Sequence, residues 1–235
     1  MRHARAGILA MIVAAGAAGC GGSSSSTSSS APWTPARANA FAAAANLTAA
    51  DLPGFTRSPP RETAADRQNV AQLASCAGAV DPSRRIVDVH SDDFSRGSGL
   101  QVQQVNSSVE VLPSATLAQQ DFTKFTTASA RGCISTYAAH ALAAATTSSS
   151  VKFGTPSIRA LTPPGGTGTN SFGYRFVIPL RASGATINVY IDLLFHRSGP
   201  AEVAFNDSAI GTPFPPADQQ RLFSLLVTRA DAHSK

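Results

Sequence analysis

From residue 172 to residue 205 the chain alternates apolar and polar positions with a period of two. Phe172, Tyr174, Phe176, Ile178 and Leu180 form one such series, Ile187, Val189, Ile191, Leu193 and Phe195 a second, and Val203 and Phe205 a third. Successive strand side chains point to opposite faces of a sheet, so this spacing predicts a three-strand antiparallel meander with one apolar face. Its turns fall at Ala182-Ser183-Gly184 and Arg197-Ser198-Gly199-Pro200. Pro179 has no amide proton to give to a ladder, which places its strand at an edge or a bulge. Residues 151–161 add a further strand, joined to the meander by the loop 163–170.

Ahead of the meander the apolar spacing lengthens to three and four. Thr34-Pro35 reads as an N-cap followed by proline at the first helical position, opening a helix through the Ala-rich residues 36–45. A second helix fits residues 61–77, where Val70, Leu73, Ala74 and Ala77 make a buried stripe and Gly78 ends it. Residues 85–90 read as a strand and 91–99 as a polar turn. Residues 100–112 read as a longer strand, broken in character at Asn106-Ser107-Ser108. Pro113-Ser114 ends that strand and caps a third helix, on which Ala118, Phe122 and Phe125 share a face and which leads to Cys133. After the mixed stretch 136–150 and the meander, a last helix starts near Pro215-Pro216. It carries Leu222, Leu225 and Leu226 on one side, to pack across the apolar sheet face. Helices first, strands in runs and a closing helix predict an α+β fold, an antiparallel sheet with helices packed on it.

The first 20 residues follow another pattern. Arg2 and Arg5 precede an uncharged apolar stretch of 13 residues, 6–18, which ends in Ala17-Ala18-Gly19-Cys20. Gly21-Gly22 and an unbroken Ser/Thr run, residues 23–30, come next. A membrane-spanning helix needs about 20 apolar residues, more than this stretch supplies. An ordinary secretory signal ends in small residues but has no need of a cysteine set between the apolar run and a low-complexity spacer. The segment resembles a bacterial lipoprotein signal, in which the cysteine becomes the lipidated first residue of the mature chain. That resemblance implies a diacylglycerol thioether on Cys20 and anchoring to the outer face of the cell membrane; two or more acyl chains suffice for stable attachment. The organisation expected is then a signal peptide (1–19), a lipidated Cys20 with a flexible Ser-rich tether (20–32), and one extracytoplasmic domain (33–235).

Charge and cysteines refine this. There are 19 Lys and Arg against 14 Asp and Glu, a formal net charge of +5, and losing Arg2 and Arg5 with the leader leaves +3. The densest basic cluster is Arg84-Arg85, not the stripe or module that nucleic-acid binding requires. With Cys20 lipidated, Cys76 and Cys133 remain as an even pair in a chain bound for an oxidising compartment. A disulfide between them is expected. Two buried free thiols, or a cysteine nucleophile with a histidine partner in space, are the alternatives.

Few motifs carry chemistry. Ser149-Ser150-Val151-Lys152 matches the Ser-x-x-Lys pattern of penicillin-recognising enzymes, but it leaves a Ser/Thr loop for a strand and lacks the later motifs. Asp88, His90, Asp92 and Asp93 are the densest set of potential metal ligands, which a solvated strand running into an Asp-rich turn explains equally. The Gly-rich run from Pro163 to Asn170 lacks the Gly-Lys-Ser/Thr ending of a phosphate loop. No cofactor or metal is expected. On the polar face of the meander, Arg175, Tyr190, Asp192 and His196 alternate outward among Val177 and Leu194. That face is either covered by the early helices or lines a ligand-binding groove.

The element order, with Cys76 at a helix end, a Phe-bearing helix leading to Cys133, a strand meander and a C-terminal helix, resembles lipid-anchored envelope proteins of actinobacteria. It is similar in outline to the extracellular sensor domains of mycobacterial serine/threonine kinases and to LpqN-type lipoproteins with a PsbP-like fold. The resemblance implies a non-catalytic domain that binds an envelope ligand; a protein partner is the other binding target considered, and a monomer is expected. The alternative is an envelope hydrolase with dispersed catalytic residues, His196 and Asp192 being the pair to consider.

Overall fold

The computed structural model describes residues 32–145, 151–164, 169–182 and 184–234. The leader, Cys20, most of the tether, Ser149-Ser150 and the centre of the Gly-rich loop lie outside them. In chain order the elements are α1 (Pro35–Ala45), β1 (Thr56–Ser58), α2 (Ala64–Ala77), β2 (Val87–His90), β3 (Asp93–Arg96), β4 (Gln103–Val111) and α3 (Ala115–Phe125). They continue with α4 (Ala128–Ala145), β5 (Val151–Phe153), β6 (Ser157–Ala160), β7 (Ser171–Ala182), β8 (Ala185–Ser198), β9 (Ala201–Ile210) and α5 (Pro216–His233). The fold is α+β. Among the described residues no helix is long and apolar enough to cross a membrane.

Helix boundaries follow local chemistry. The Thr34 hydroxyl accepts from the Arg37 amide at the start of α1. Thr63 and Asp66 form a reciprocal capping box at α2, and Gly78 closes it in the left-handed region, with φ 70°. Ser114 caps α3 through the Leu117 amide. The expected end of α3 at Cys133 is corrected: α3 stops at Phe125 and a separate helix, α4, carries Cys133 and runs on through the stretch expected to be mixed. Its Ala-rich composition favours helix without marking a face. Thr127 provides the break, its hydroxyl accepting from the Ala130 amide.

All sheet pairs are antiparallel, in the order β1-β3-β4-β9-β8-β7-β5, with β2 also on β4 and β6 also on β7. The expected polar turn 91–99 contains β3, held by buried Phe94, and β4 passes unbroken through Asn106-Ser107-Ser108. The single strand expected over 151–161 is two. Phe153 opposes Leu180 and Ser157 opposes Val177, so three residues stand against two and form a β-bulge at 154–156.

The sheet buries both faces. On one, Val105, Val109, Leu194, Val203 and Phe205 meet Phe41 and Ala42 of α1 and Leu222, Phe223 and Leu226 of α5. On the other, Tyr174, Phe176, Ile178, Val189, Leu193 and Phe195 meet Leu73 of α2, Phe122 and Phe125 of α3, and Ile134 of α4. Two expectations change accordingly. Val203 and Phe205 pair with His196 and Leu194, so they lie on the face opposite Phe195. Helix α5 covers that same face, turning Phe223 inward where Leu225 was expected. Arg229 of α5 clamps Asp51 with two 2.8 Å bonds, fastening the helix to the segment after α1.

The Cys76–Cys133 disulfide is present and joins the end of α2 to α4 across a sequence separation of 57.

Candidate functional site

The polar residues of the meander assemble a layer between the sheet and α5. Asp192 lies in β8, 1% exposed, and Arg175 stands directly opposite it on β7. Arg175 donates from Nε to Oδ1 at 2.6 Å and from Nη2 to Oδ2 at 2.5 Å, a bidentate pair. From the first turn of α5, Gln219 Nε2 donates to Asp192 Oδ2 and to Asp207 Oδ2, each at 2.7 Å. Burial, reinforced by the Asp192 charge, pushes the Asp207 carboxyl well above the usual range, with Gln219 and Arg175 opposing. One amide and one guanidinium thus hold two carboxyls of neighbouring strands.

His196 belongs to a second group four residues along β8. Its Nδ1 lies 2.9 Å from the Ser171 hydroxyl, the directly opposite residue on β7, and its Nε2 lies 3.1 Å from Asp231 Oδ1 on α5. Ser198 donates to the same Asp231 oxygen at 2.7 Å. Ser171, His196 and Asp231 therefore stand in the order nucleophile, base, carboxylate. The wiring differs from a hydrolase triad, where Nε2 faces serine and Nδ1 the carboxylate.

The four residues expected to point outward are thus not alike. Asp192 and His196 are buried, the latter 6% exposed, because α5, not only the early helices, covers this part of the face. The expectation that both point outward is corrected. Arg175 and Tyr190 are half-buried at the margin of α5. Asp192 and His196 do not meet; each joins partners from β7 and α5.

Of the Asp-rich segment, Asp88 and His90 stay together, His90 Nε2 lying 3.4 Å from Asp88 Oδ1, while the others part. Asp88 also pairs with Arg85 at 2.5 Å, Asp92 with Arg57 at 2.5 Å, and Asp93 accepts from Asn106 at 3.0 Å.

A third constellation was not read from the sequence. Beneath α3, Asp121 is 0% exposed, and among the described residues neither carboxyl oxygen has a hydrogen-bond partner. Burial, and then the charges of Glu202 and Glu110, push it far above the usual carboxylate range, with Arg85 opposing. Burial also raises Glu202, against Arg85 and Arg197. Arg85 reaches Glu110 at 2.6 Å. Asp121 is therefore a neutral acid in the folded protein. The one sequence signal was its place on α3 next to Phe122 and near Ala118, both core residues.

Among solved structures the chain is similar to the extracellular domain of PknH from Mycobacterium tuberculosis, at a TM-score of 0.35 and 11% identity, over 86% of this chain and 98% of that one. No protein-family model matches the chain, and no curated protein matches it.

Proposed function

We propose that this chain is a lipid-anchored extracytoplasmic domain that acts by binding a ligand or partner of the cell envelope. The observation that carries the reading is the Cys76–Cys133 disulfide. Such bonds persist in oxidising compartments, and this one uses both cysteines beyond the leader, leaving Cys20 for lipid. Binding is favoured over catalysis because the polar groups of the meander are engaged with one another: Arg175 with Asp192, Asp192 and Asp207 with Gln219. Of the four residues proposed for ligand binding, Arg175 and Tyr190 are the accessible pair. Asp192 orients Arg175 from below, and His196 secures the neighbouring end of α5.

Intact-mass analysis of protein extracted from host membranes tests the anchor. The expected species lacks residues 1–19 and carries lipid mass on Cys20, while a Cys20→Ser chain carries no lipid mass. An extracted chain without lipid mass on Cys20 refutes it.

A second reading, an envelope hydrolase, draws on Ser171, His196 and Asp231, whose contacts of 2.9 and 3.1 Å place a serine next to a possible base. Labelling by a serine-reactive fluorophosphonate, lost in Ser171→Ala, decides for it; an unlabelled chain decides for binding.

A further inference from the structure

Among the described residues, part of the sheet face that α1 and α5 occupy is left open. Helix α5 packs on β8 and β9, and α1 on β2 and β4; beyond them the same face continues over β7, β5 and β6. Cross-strand partners share a face, so the ladder identifies what stands there. Lys152 is directly opposite Arg181, and Arg159 is directly opposite Arg175, which in turn faces Asp192. Lys152, Arg159 and Arg181 are exposed. Among the described residues none of the three pairs with an acid.

Like charges directly opposite one another destabilise an antiparallel pair, and here there are two such pairs in adjacent short strands. Only Arg175 is neutralised, by Asp192. The bulge at 154–156 creates the arrangement. With the register of β5 continued unbroken, Arg159 would oppose Tyr174 and enter the apolar core; the extra residue shifts it opposite Arg175, onto the face of Lys152. A strand distorted so that three uncompensated cations gather on one open face is shaped for an anionic partner. Val177, Pro179 and Tyr190 are half-buried among these cations, so apolar surface and basic groups are interleaved there, as at a membrane interface.

We propose that this face docks on the anionic phospholipid headgroups of the membrane that holds the chain. The proposal rests on the lipid-anchor reading, which keeps the bilayer within reach: a Gly/Ser-rich coil the length of residues 21–32 spans roughly 20 Å. Each Lys or Arg near an anionic bilayer strengthens binding by about fivefold, so the three together contribute roughly a hundredfold.

The test uses the mature chain from position 20 with Cys20→Ser, so that neither a lipid nor the apolar leader contributes, and follows sedimentation with phosphatidylcholine vesicles that contain or lack phosphatidylglycerol. Binding is expected only with phosphatidylglycerol, weakening as salt screens the charges. A Lys152→Gln, Arg159→Gln, Arg181→Gln chain is expected to lose roughly a hundredfold in affinity. The three single replacements, about fivefold each, serve if the triple chain fails to fold. Equal binding by the parent and triple chains overturns the proposal, as does absence of binding to phosphatidylglycerol vesicles. Binding to a soluble sulfated polysaccharide but not to vesicles also overturns it, and assigns the face to an anionic glycan. Failure of the anchor reading shows separately, as a missing lipid mass on Cys20.

Discussion

Replacing Asp121 with asparagine removes a proton that folding takes up. In the unfolded chain the Asp121 carboxyl titrates near the ordinary aspartate value of about 3.9. In the folded protein it is fully buried beside Glu202 and Glu110, without a hydrogen-bond partner among the described residues, and stays protonated through neutral pH. A carboxyl raised by folding stabilises the protein fully below its unfolded pKa, and that stability is lost as pH rises towards the folded value. One proton taken up on folding corresponds to about 1.4 kcal/mol per pH unit, so between pH 5 and pH 7 Asp121 costs the parent chain about 2.7 kcal/mol. Glu202 is raised in the same direction and is present in both chains, so the difference between them reports Asp121. Denaturant unfolding at several pH values, with the disulfide intact, measures it. The Asp121→Asn chain is expected to lose about 2.7 kcal/mol less than the parent over that interval. Parallel pH profiles for the two chains, or a parent whose stability rises from pH 5 to pH 7, refute the assignment of a neutral buried acid.

Two further outcomes are expected. Cys76→Ala with Cys133→Ala releases a loop with sequence separation 57 and is expected to lower stability by about 4 kcal/mol on the chain-entropy account; unfolding curves that do not move with reductant contradict this. Asp192→Leu strands Arg175 and one donor bond of Gln219, at an expected cost of about 3–5 kcal/mol. Adding Arg175→Leu is expected to restore much of that loss, and a double variant as unstable as the sum of the singles excludes coupling between the two.

Features decided within a few residues were legible in the sequence. Thr34-Pro35, Gly78 and Ser114 mark helix ends because their side chains or backbone conformations act on the adjoining turn, whereas the Thr63 cap, which starts α2 later than expected, was not read. The meander was legible because β7 and β8 turn apolar side chains to one helix layer. The place of β9 as third strand was legible too, but its facing was not, since it lies where both layers bury it. Its polar Glu202 and Asn206 are buried along with Val203 and Phe205, and alternation no longer tells inside from outside. Helix α4 was hidden by alanine, which favours a helix without marking a face. The candidate site was half legible. Arg175, Tyr190, Asp192 and His196 were grouped correctly on one face, but Gln219 and Asp231 reach them from α5, a contact with no local signature. Asp121 meets Glu202 across a sequence separation of 81 in the same way.

The disulfide lies in only one of the two helix layers. The layer of α2, α3 and α4 is braced covalently, whereas α1 and α5 hold to the sheet by Phe41, Phe223 and Leu226 and by the Arg229–Asp51 clamp. Local opening is therefore asymmetric: amide exchange in α1 and α5 responds to whatever loosens that clamp, and exchange in α2 and α4 responds to reduction. The segment leading to Cys20 enters the domain at α1. Were Cys20 lipid-anchored as proposed, mechanical pull from that end would be delivered to the layer without a covalent crosslink, on the other side of the sheet from the braced one.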